Sequence, residues 1–208
     1  MNVNYLDILL ASIILGFAIW GFRKKLLFQM VIFIGLFLAL FLSMEGLEIV
    51  APLFASISIV SGSTAILIAL IITFLVVYYL YFFFQKWANK NAKMKMPEVL
   101  DNAGGVILGL LNAFLVGCFL TLSLMLAPAS EKFQDQIYDA KLRPTTETIG
   151  TGVYNFFAKM IPGSVTFVQC LEAVTNEIGI QNFDSDYYAI LIELNSTKAE
   201  EWMSLAKK

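Results

Sequence analysis

The stretch Leu100–Gly117 reads LDNAGGVILGLLNAFLVG and decides the fold. It carries no charge after Asp101, so it is apolar enough to begin a membrane span. Residues four apart share one face of a helix, and helices in a bilayer associate through faces where small residues let two backbones approach. Small residues recur here at that spacing: Gly105, Gly109, Ala113 and Gly117. The stretch therefore predicts a transmembrane helix with a packing face.

The composition predicts a membrane protein. Of the 208 residues, 59% are hydrophobic and only 14% are charged, unlike an ordinary soluble domain. The net charge of −2 gives no basic surface for nucleic acid, so the expected partners are the lipid bilayer and other proteins. The absence of histidine disfavours acid–base catalysis and metal binding, and no cofactor motif is present. Cys118 and Cys170 lack zinc or redox spacing and are expected to be two separate buried or free thiols.

Four apolar runs predict four transmembrane helices, so the expected fold is an all-α, polytopic membrane protein packed through small-residue faces. The predicted spans cover about residues 6–22, 26–44, 64–84 and 103–127. Together they form a transmembrane region from 1 to 128, which Pro128 closes. Residues 129–208 are predicted to form a short tail of amphipathic helices outside the membrane.

The basic residues predict the orientation of the spans. The loop between spans one and two holds Arg23, Lys24 and Lys25, and the loop between spans three and four holds Lys86, Lys90, Lys93 and Lys95. The N-terminal residues and the 44–61 connection hold none. The positive-inside rule then places both basic loops in the cytoplasm and the N-terminus and tail on the other side. The expected location is a bacterial inner (cytoplasmic) membrane.

Small and polar residues predict how the spans meet. Gly35 and Ala39 form a packing face on the second span, and Ser12 and Gly16 are similarly spaced in the first. Counted from the cytoplasmic ends of their spans, three polar residues fall at one depth: Ser12, Thr73 and Asn112. A buried amide in hydrocarbon needs a partner, so Asn112 is expected to bond Thr73, Ser12 or a second copy of itself. This polar layer either holds helices together or lines a conduction path.

Two aspartates stand at predicted helix starts. Asp7 stands at the start of the first span and Asp101 just before the fourth. A carboxylate there can cap free backbone N–H groups and meet the positive end of the helix dipole. Either aspartate could instead pair with a cation, which for Asp101 would be Arg23 or a loop lysine.

These residues resemble a known family. Asp7, followed by GFRKKLLFQ from Gly21 with Arg23 and Lys24, resembles the N-terminal signature of the colicin V production protein (CvpA) family. Leu100-Asp101 followed by Gly105 and Gly109 resembles the second signature of that family. The resemblance implies a bacterial inner-membrane protein connected with colicin V production, a toxin biosynthetic process, without implying a molecular activity.

The expected function is therefore non-enzymatic. The leading hypothesis is a CvpA-type integral membrane protein that acts in toxin production or export, or in envelope maintenance, by assembling as a homo-oligomer or with another membrane protein. The alternative is a small oligomeric channel or transporter built around the polar layer. A membrane enzyme is disfavoured because the sequence offers no nucleophile–base pair or metal-ligand set.

Overall fold

The computed structural model describes residues 4–57, 60–88, 98–183 and 185–194. Lys90, Lys93, Lys95 and the tail from residue 195 lie outside these ranges, as does the side chain of Lys25. The helices are α1 (Tyr5–Glu45), α2 (Leu47–Ala55), α3 (Gly62–Ala88), α4 (Glu98–Met125), α5 (Glu131–Tyr138), α6 (Leu142–Ala158), α7 (Phe167–Ile178) and α8 (Ser185–Leu194). A 3₁₀ turn (Ile180–Asn182) precedes α8. The described residues contain no strand, which confirms the all-α prediction.

Four segments are long and apolar enough to cross a membrane, as predicted. They are the first half of α1 (Tyr5–Lys24), the second half of α1 (Leu26–Glu45), α3 from Gly62 to Phe83, and α4 from Asp101 to Met125. The first span starts at Asn4, whose side-chain oxygen accepts the N–H of Leu6 and so caps the helix.

The chain reverses direction within α1. A straight helix of 41 residues would be about 60 Å long, roughly twice the hydrocarbon thickness. The first half runs antiparallel to α4, because Leu10 lies near Gly117 and Phe17 lies against Gly109.

The second half runs the other way. It is antiparallel to α3, because Gly35 meets Tyr81 and Gly46 lies beside Thr73. Helix α3 is in turn antiparallel to α4. The start of α3 lies beside the end of α4, and farther along both helices the ring of Phe74 stacks on that of Phe119. The second half is thus parallel to α4, and the two halves form a hairpin.

The hairpin gives the bundle two different ends. Arg23, Lys24 and Lys86 are exposed at one of them, named here the basic end. Both ends of α1 meet the region after α4 at the other, named here the tail end: Asp7 bonds the start of α6, and Glu45 accepts the N–H of Val165. Helix α2 packs there against α3 and α7.

Burial separates central helices from peripheral ones. In the most apolar stretches of the second half of α1 and of α4, 56% and 50% of the residues are buried. The corresponding share is only 17% in the first half of α1 and 17% in α3. The second half of α1 and α4 are therefore the central helices and form the core. The first half of α1 and α3 are peripheral and present wide apolar faces to the membrane.

Helix α6 enters the bundle from the tail end as a wedge. It runs antiparallel to α4, with Gly150 packed against Cys118. On its other side the ring of Tyr154 lies 5.7 Å from that of Phe41, and the ring of Phe157 lies 5.4 Å from that of Phe33. Phe33 is roughly 18 Å along α1 from Glu45. Helix α6 thus inserts between the two central helices to about half the length of a span.

Candidate functional site

The small-residue face of α4 is occupied by the chain itself. A Cβ added to Gly109 would collide with the carbonyl oxygen of Phe17, and one added to Gly21 would collide with that of Gly105. Gly117 meets the side chain of Thr146 on α6. Ala113, between these positions, is fully buried. The stripe is therefore where α4 packs against the first half of α1 and against α6.

The second predicted face, on the second half of α1, is also buried. Gly35 lies against the ring of Tyr81 on α3, whose hydroxyl donates to the carbonyl of Val31 at 2.6 Å. Ala39 is fully buried. This face seats α3 on the central helix.

The small residues of the first span, Ser12 and Gly16, face outward, unlike those of the second and fourth spans. Ser12 is exposed, and its hydroxyl donates to the carbonyl of Ile8 at 2.7 Å within its own helix. A Cβ added to Gly16 would meet no heavy atom within 4 Å in the described part of the chain. Leu15 and Ile19 on the same helix are 63% and 57% exposed. We call Ser12, Gly16, Leu15 and Ile19 the open face.

Asn112 has a partner that the sequence did not suggest. Its Nδ2 donates to Gln29 Oε1 at 2.8 Å and to the Gln29 carbonyl at 3.3 Å, and both residues are fully buried. Two atoms of this amide pair, Gln29 Nε2 and Asn112 Oδ1, have no hydrogen-bond partner among the described residues. The pair links the second half of α1 to the middle of α4.

The predicted polar layer of Ser12, Thr73 and Asn112 is not assembled within the chain. Ser12 faces outward, and Thr73 lies beside Gly46 at the tail end of α1. The depth count assumed that every span starts at the same level. Helix α3 is instead displaced along the bundle, so Thr73 lies beside the end of the second half of α1.

Both motif aspartates accept backbone N–H groups from distant helices. Asp101 Oδ1 accepts the N–H of Leu26 at 2.8 Å, and Asp101 is 8% exposed. Asp7 Oδ1 accepts the N–H of Leu142 at 2.8 Å, and its Oδ2 accepts that of Lys141 at 3.2 Å. Asp101 thus caps the second half of α1, and Asp7 caps the wedge helix α6.

The basic motif residues mark the hairpin. Gly21 allows the close approach to α4, whereas Arg23 and Lys24 are exposed. The ammonium of Lys24 lies 5.7 Å from the centre of the Phe28 ring. No described contact joins Arg23 to Asp101, one of the pairings considered from the sequence.

The sequence reasoning missed an ion-pair cluster at the tail end, in which Arg143 and Glu147 are buried and Glu193 is exposed. Arg143 is 4% exposed and makes two bonds to Glu193 on α8, Nη2 to Oε1 at 2.6 Å and Nη1 to Oε2 at 2.8 Å. It also bonds Glu147 one turn along α6, at 3.2 Å. The guanidinium lies 5.2 Å from the centre of the Tyr138 ring. The cluster ties α6 to α5 and α8.

Within this cluster, burial raises the pKa of Glu147 to about 7, although the charge of Arg143 opposes the shift. The carboxylate of Glu193 shares the same guanidinium and adds to the increase. Glu147 is therefore a carboxyl that titrates near neutral pH.

The described residues bring no three histidine, cysteine, aspartate or glutamate side chains together as a metal site. Cys118 and Cys170 are buried and form no disulfide. Burial raises the pKa of Cys170 to about 11, so this thiol stays protonated and weakly nucleophilic at neutral pH.

These features define a class of protein: a polytopic, α-helical membrane protein whose spans are joined by small-residue contacts and by aspartate caps between distant helices. The family described as colicin V production protein matches residues 6–151, and the chain belongs to this family. The match includes all four spans and ends within the wedge helix α6. Comparisons with curated proteins and with solved structures find no match.

Proposed function

We propose that the protein is a non-catalytic component of the bacterial inner membrane that serves toxin production or export, or envelope maintenance, by assembling with itself or with another membrane protein. The observation that carries the proposal is the open face of the first span. Ser12 and Gly16 are spaced four apart and face outward, where a second helix can approach them closely.

The open face differs from the other small-residue faces. Gly105, Gly109 and Gly35 already contact helices of the same chain, so they are not available to a partner. Around Gly16, the apolar side chains of Leu15 and Ile19 are exposed. A helix docked here would replace lipid contacts by close backbone packing and interhelical hydrogen bonds, the main attractions between helices in a bilayer.

The two ends of the bundle support the proposed orientation, with the tail end outside the cytoplasm. The exposed cations Arg23, Lys24 and Lys86 are at the basic end. The test is labelling of intact cells with a membrane-impermeant maleimide. Both native cysteines are buried, so single cysteines at the exposed positions Lys141 and Lys86 report each end. Lys141→Cys, at the start of α6, should react and Lys86→Cys should react only after lysis; the reverse result overturns the orientation.

The residues also support a non-catalytic role. The chain has no histidine, and both cysteines are buried away from solvent. The carboxylates of Asp7 and Asp101 accept backbone N–H groups, and that of Glu193 pairs with Arg143. These roles stabilise the structure. These roles are consistent with a protein that acts by assembly.

The experiment compares two open glycines. Neither Gly16 nor Gly152 has a heavy atom within 4 Å of an added Cβ in the described structure, but only Gly16 lies on the open face. Gly16→Leu should not lower the thermal unfolding temperature, and it should reduce cross-linked oligomer in native membranes severalfold. Gly152→Leu is the matched control and should cross-link like wild type. Equal cross-linking of both variants would contradict assembly through the open face.

A second function, conduction, is supported by one observation. Gln29 Nε2 and Asn112 Oδ1 are buried between central helices without described partners, and such intramembrane polar groups are found along solute paths. Flux through proteoliposomes tests it. If Gln29→Leu abolishes solute or ion flux that wild type shows, conduction is supported; if wild-type vesicles are as tight as empty ones, it is excluded.

A further inference from the structure

A cavity lies at the tail end between the start of α3 and the end of α4. It measures about 110 Å³, several times the space that one buried water needs. Its apolar wall includes Met125, Leu126 and Ile190, and its polar wall includes Ser63 and Gln134. Its lining residues include neither the open face nor the Gln29–Asn112 pair.

Two polar atoms of this wall lack partners. Ser63 is 9% exposed, and its hydroxyl has no hydrogen-bond partner among the residues described. The same holds for Gln134 Oε1. Gln134 Nε2 donates to the carbonyl of Ala127 at 3.0 Å, which fixes the amide with its oxygen as the unpaired atom. Since buried polar groups are nearly always paired, these two atoms indicate a missing group with both an acceptor and a donor.

The start of α3 supplies further donors. The first intrahelical bond of this helix runs from the N–H of Ala65 to the carbonyl of Ser61, so the N–H groups of Gly62 and Ser63 precede the ladder. The N–H of Thr64 donates to Ser61 Oγ at 3.3 Å. N–H groups ahead of the intrahelical ladder and the positive end of the dipole of a 27-residue helix favour an anionic oxygen next to the Ser63 hydroxyl.

The position of the cavity indicates which kind of anion it would meet. The apolar span of α3 begins at Gly62 and that of α4 ends at Met125, so the cavity lies at the level where hydrocarbon gives way to headgroups. We propose that the cavity binds a phosphate group that carries a hydrogen-bond donor. The phosphate oxygens accept from Ser63 and the first turn of α3, and the donor bonds Gln134 Oε1. The ammonium of phosphatidylethanolamine, the hydroxyls of phosphatidylglycerol and the hydroxyl of hydrogen phosphate all supply this chemistry, whereas phosphatidylcholine has no donor.

The test uses the full chain, stripped of lipid in detergent and incubated with equal amounts of phosphatidylethanolamine, phosphatidylglycerol and phosphatidylcholine. Native mass spectrometry then counts retained lipid. Wild type should retain the first two over phosphatidylcholine by about tenfold, the ratio expected for one or two hydrogen bonds. Ser63→Leu should lose retention, and Gln134→Leu should bind the three lipids equally. The matched controls are Ser56→Leu and Gln136→Leu, which change exposed residues.

A second arm distinguishes the source of the phosphate. Inorganic phosphate is titrated into lipid-free protein while thermal unfolding is followed, and a rise that Ser63→Ala removes, without lipid preference, assigns the cavity to free hydrogen phosphate. Ser63→Ala also replaces Ser63→Leu in the lipid arm if the larger residue prevents folding. The proposal is overturned if wild type retains the three lipids equally and inorganic phosphate leaves its unfolding unchanged, because the cavity then holds water alone.

Discussion

Asp101 Oδ1 accepts the backbone N–H of Leu26 at 2.8 Å and so joins the start of α4 to the start of the second half of α1. The bond satisfies an N–H group at the point where the chain reverses, in a place that is 8% exposed. A motif residue that stands at the start of one helix thus caps another.

Asp101→Ala removes this cap. We expect a loss of about 1–2 kcal/mol in the free energy of unfolding, the cost of losing a helix cap. Asp101→Asn keeps an oxygen acceptor and should lose less. The measurement is thermal or denaturant unfolding in detergent. Asp135→Ala changes an exposed aspartate on α5 and serves as the control. Equal stability of the Asp101 and Asp135 variants would contradict the capping role.

Alanine at two glycines should have opposite effects. At Gly109 a Cβ collides with the carbonyl oxygen of Phe17, which is backbone and cannot move aside, so Gly109→Ala should destabilise by about 1–3 kcal/mol. At Gly16 the space is open, and alanine removes the helix penalty of glycine, so Gly16→Ala should stabilise by up to about 1 kcal/mol. Unfolding curves measured side by side decide this. A stable Gly109→Ala protein would disprove the backbone contact.

Asn112→Leu should be destabilising because it leaves the fully buried amide of Gln29 unpaired. The expected cost is about 1–3 kcal/mol. Gln29→Leu combined with Asn112→Leu removes both amides and should recover part of that loss. A double-mutant cycle on the unfolding free energy measures the coupling. Strictly additive effects would show that the two side chains do not interact.

Glu147 should make stability depend on pH. Its pKa of about 7 in the folded protein lies above its ordinary value of 4.5, so the folded state binds this proton more tightly than the unfolded state. Its contribution is therefore complete below about pH 4.5 and is lost as pH rises to about 7, by at most about 3 kcal/mol. The neighbouring charges of Arg143 and Glu193 are common to wild type and Glu147→Gln.

The unfolding temperature of wild type relative to Glu147→Gln should accordingly fall between pH 4.5 and 7 and be constant above about pH 8. Thr145→Ala, at an exposed position on the same helix, should follow wild type at every pH. A difference that grows in favour of wild type as pH rises would reverse the sign and refute the assignment.

The spans could be predicted from the sequence because apolar length and basic loops are local properties. The predicted first span ends before Arg23, and Pro128 follows the predicted fourth span, so the sequence predicts the number of crossings. The sequence could not show which small-residue face stays open. That depends on which helices become neighbours, and Gly105 and Gly16 look alike until the hairpin places Gly21 against Gly105.

The candidate site was less accessible. A polar amide in an apolar span needs a hydrogen-bond partner, so a partner for Asn112 could be expected. Its identity could not, because Gln29 lies close to a basic turn and nothing in the sequence indicates that it is buried. Arg143 and Glu147 are one helical turn apart, a spacing that predicts an ion pair on a helix. Glu193 is far away in the sequence and reaches Arg143 only through tertiary folding. Helix α6 mixes polar and apolar residues, so its composition resembles a surface helix.

The wedge position of α6 has a consequence for the order of biogenesis. Synthesis of the fourth span does not complete the hydrophobic core, because Phe37 and Phe41 still await the rings of Phe157 and Tyr154. A nascent chain that has just inserted its last crossing therefore leaves an aromatic cleft open to lipid. Folding is therefore complete only when the later segment packs into that cleft, after all four crossings have been synthesised.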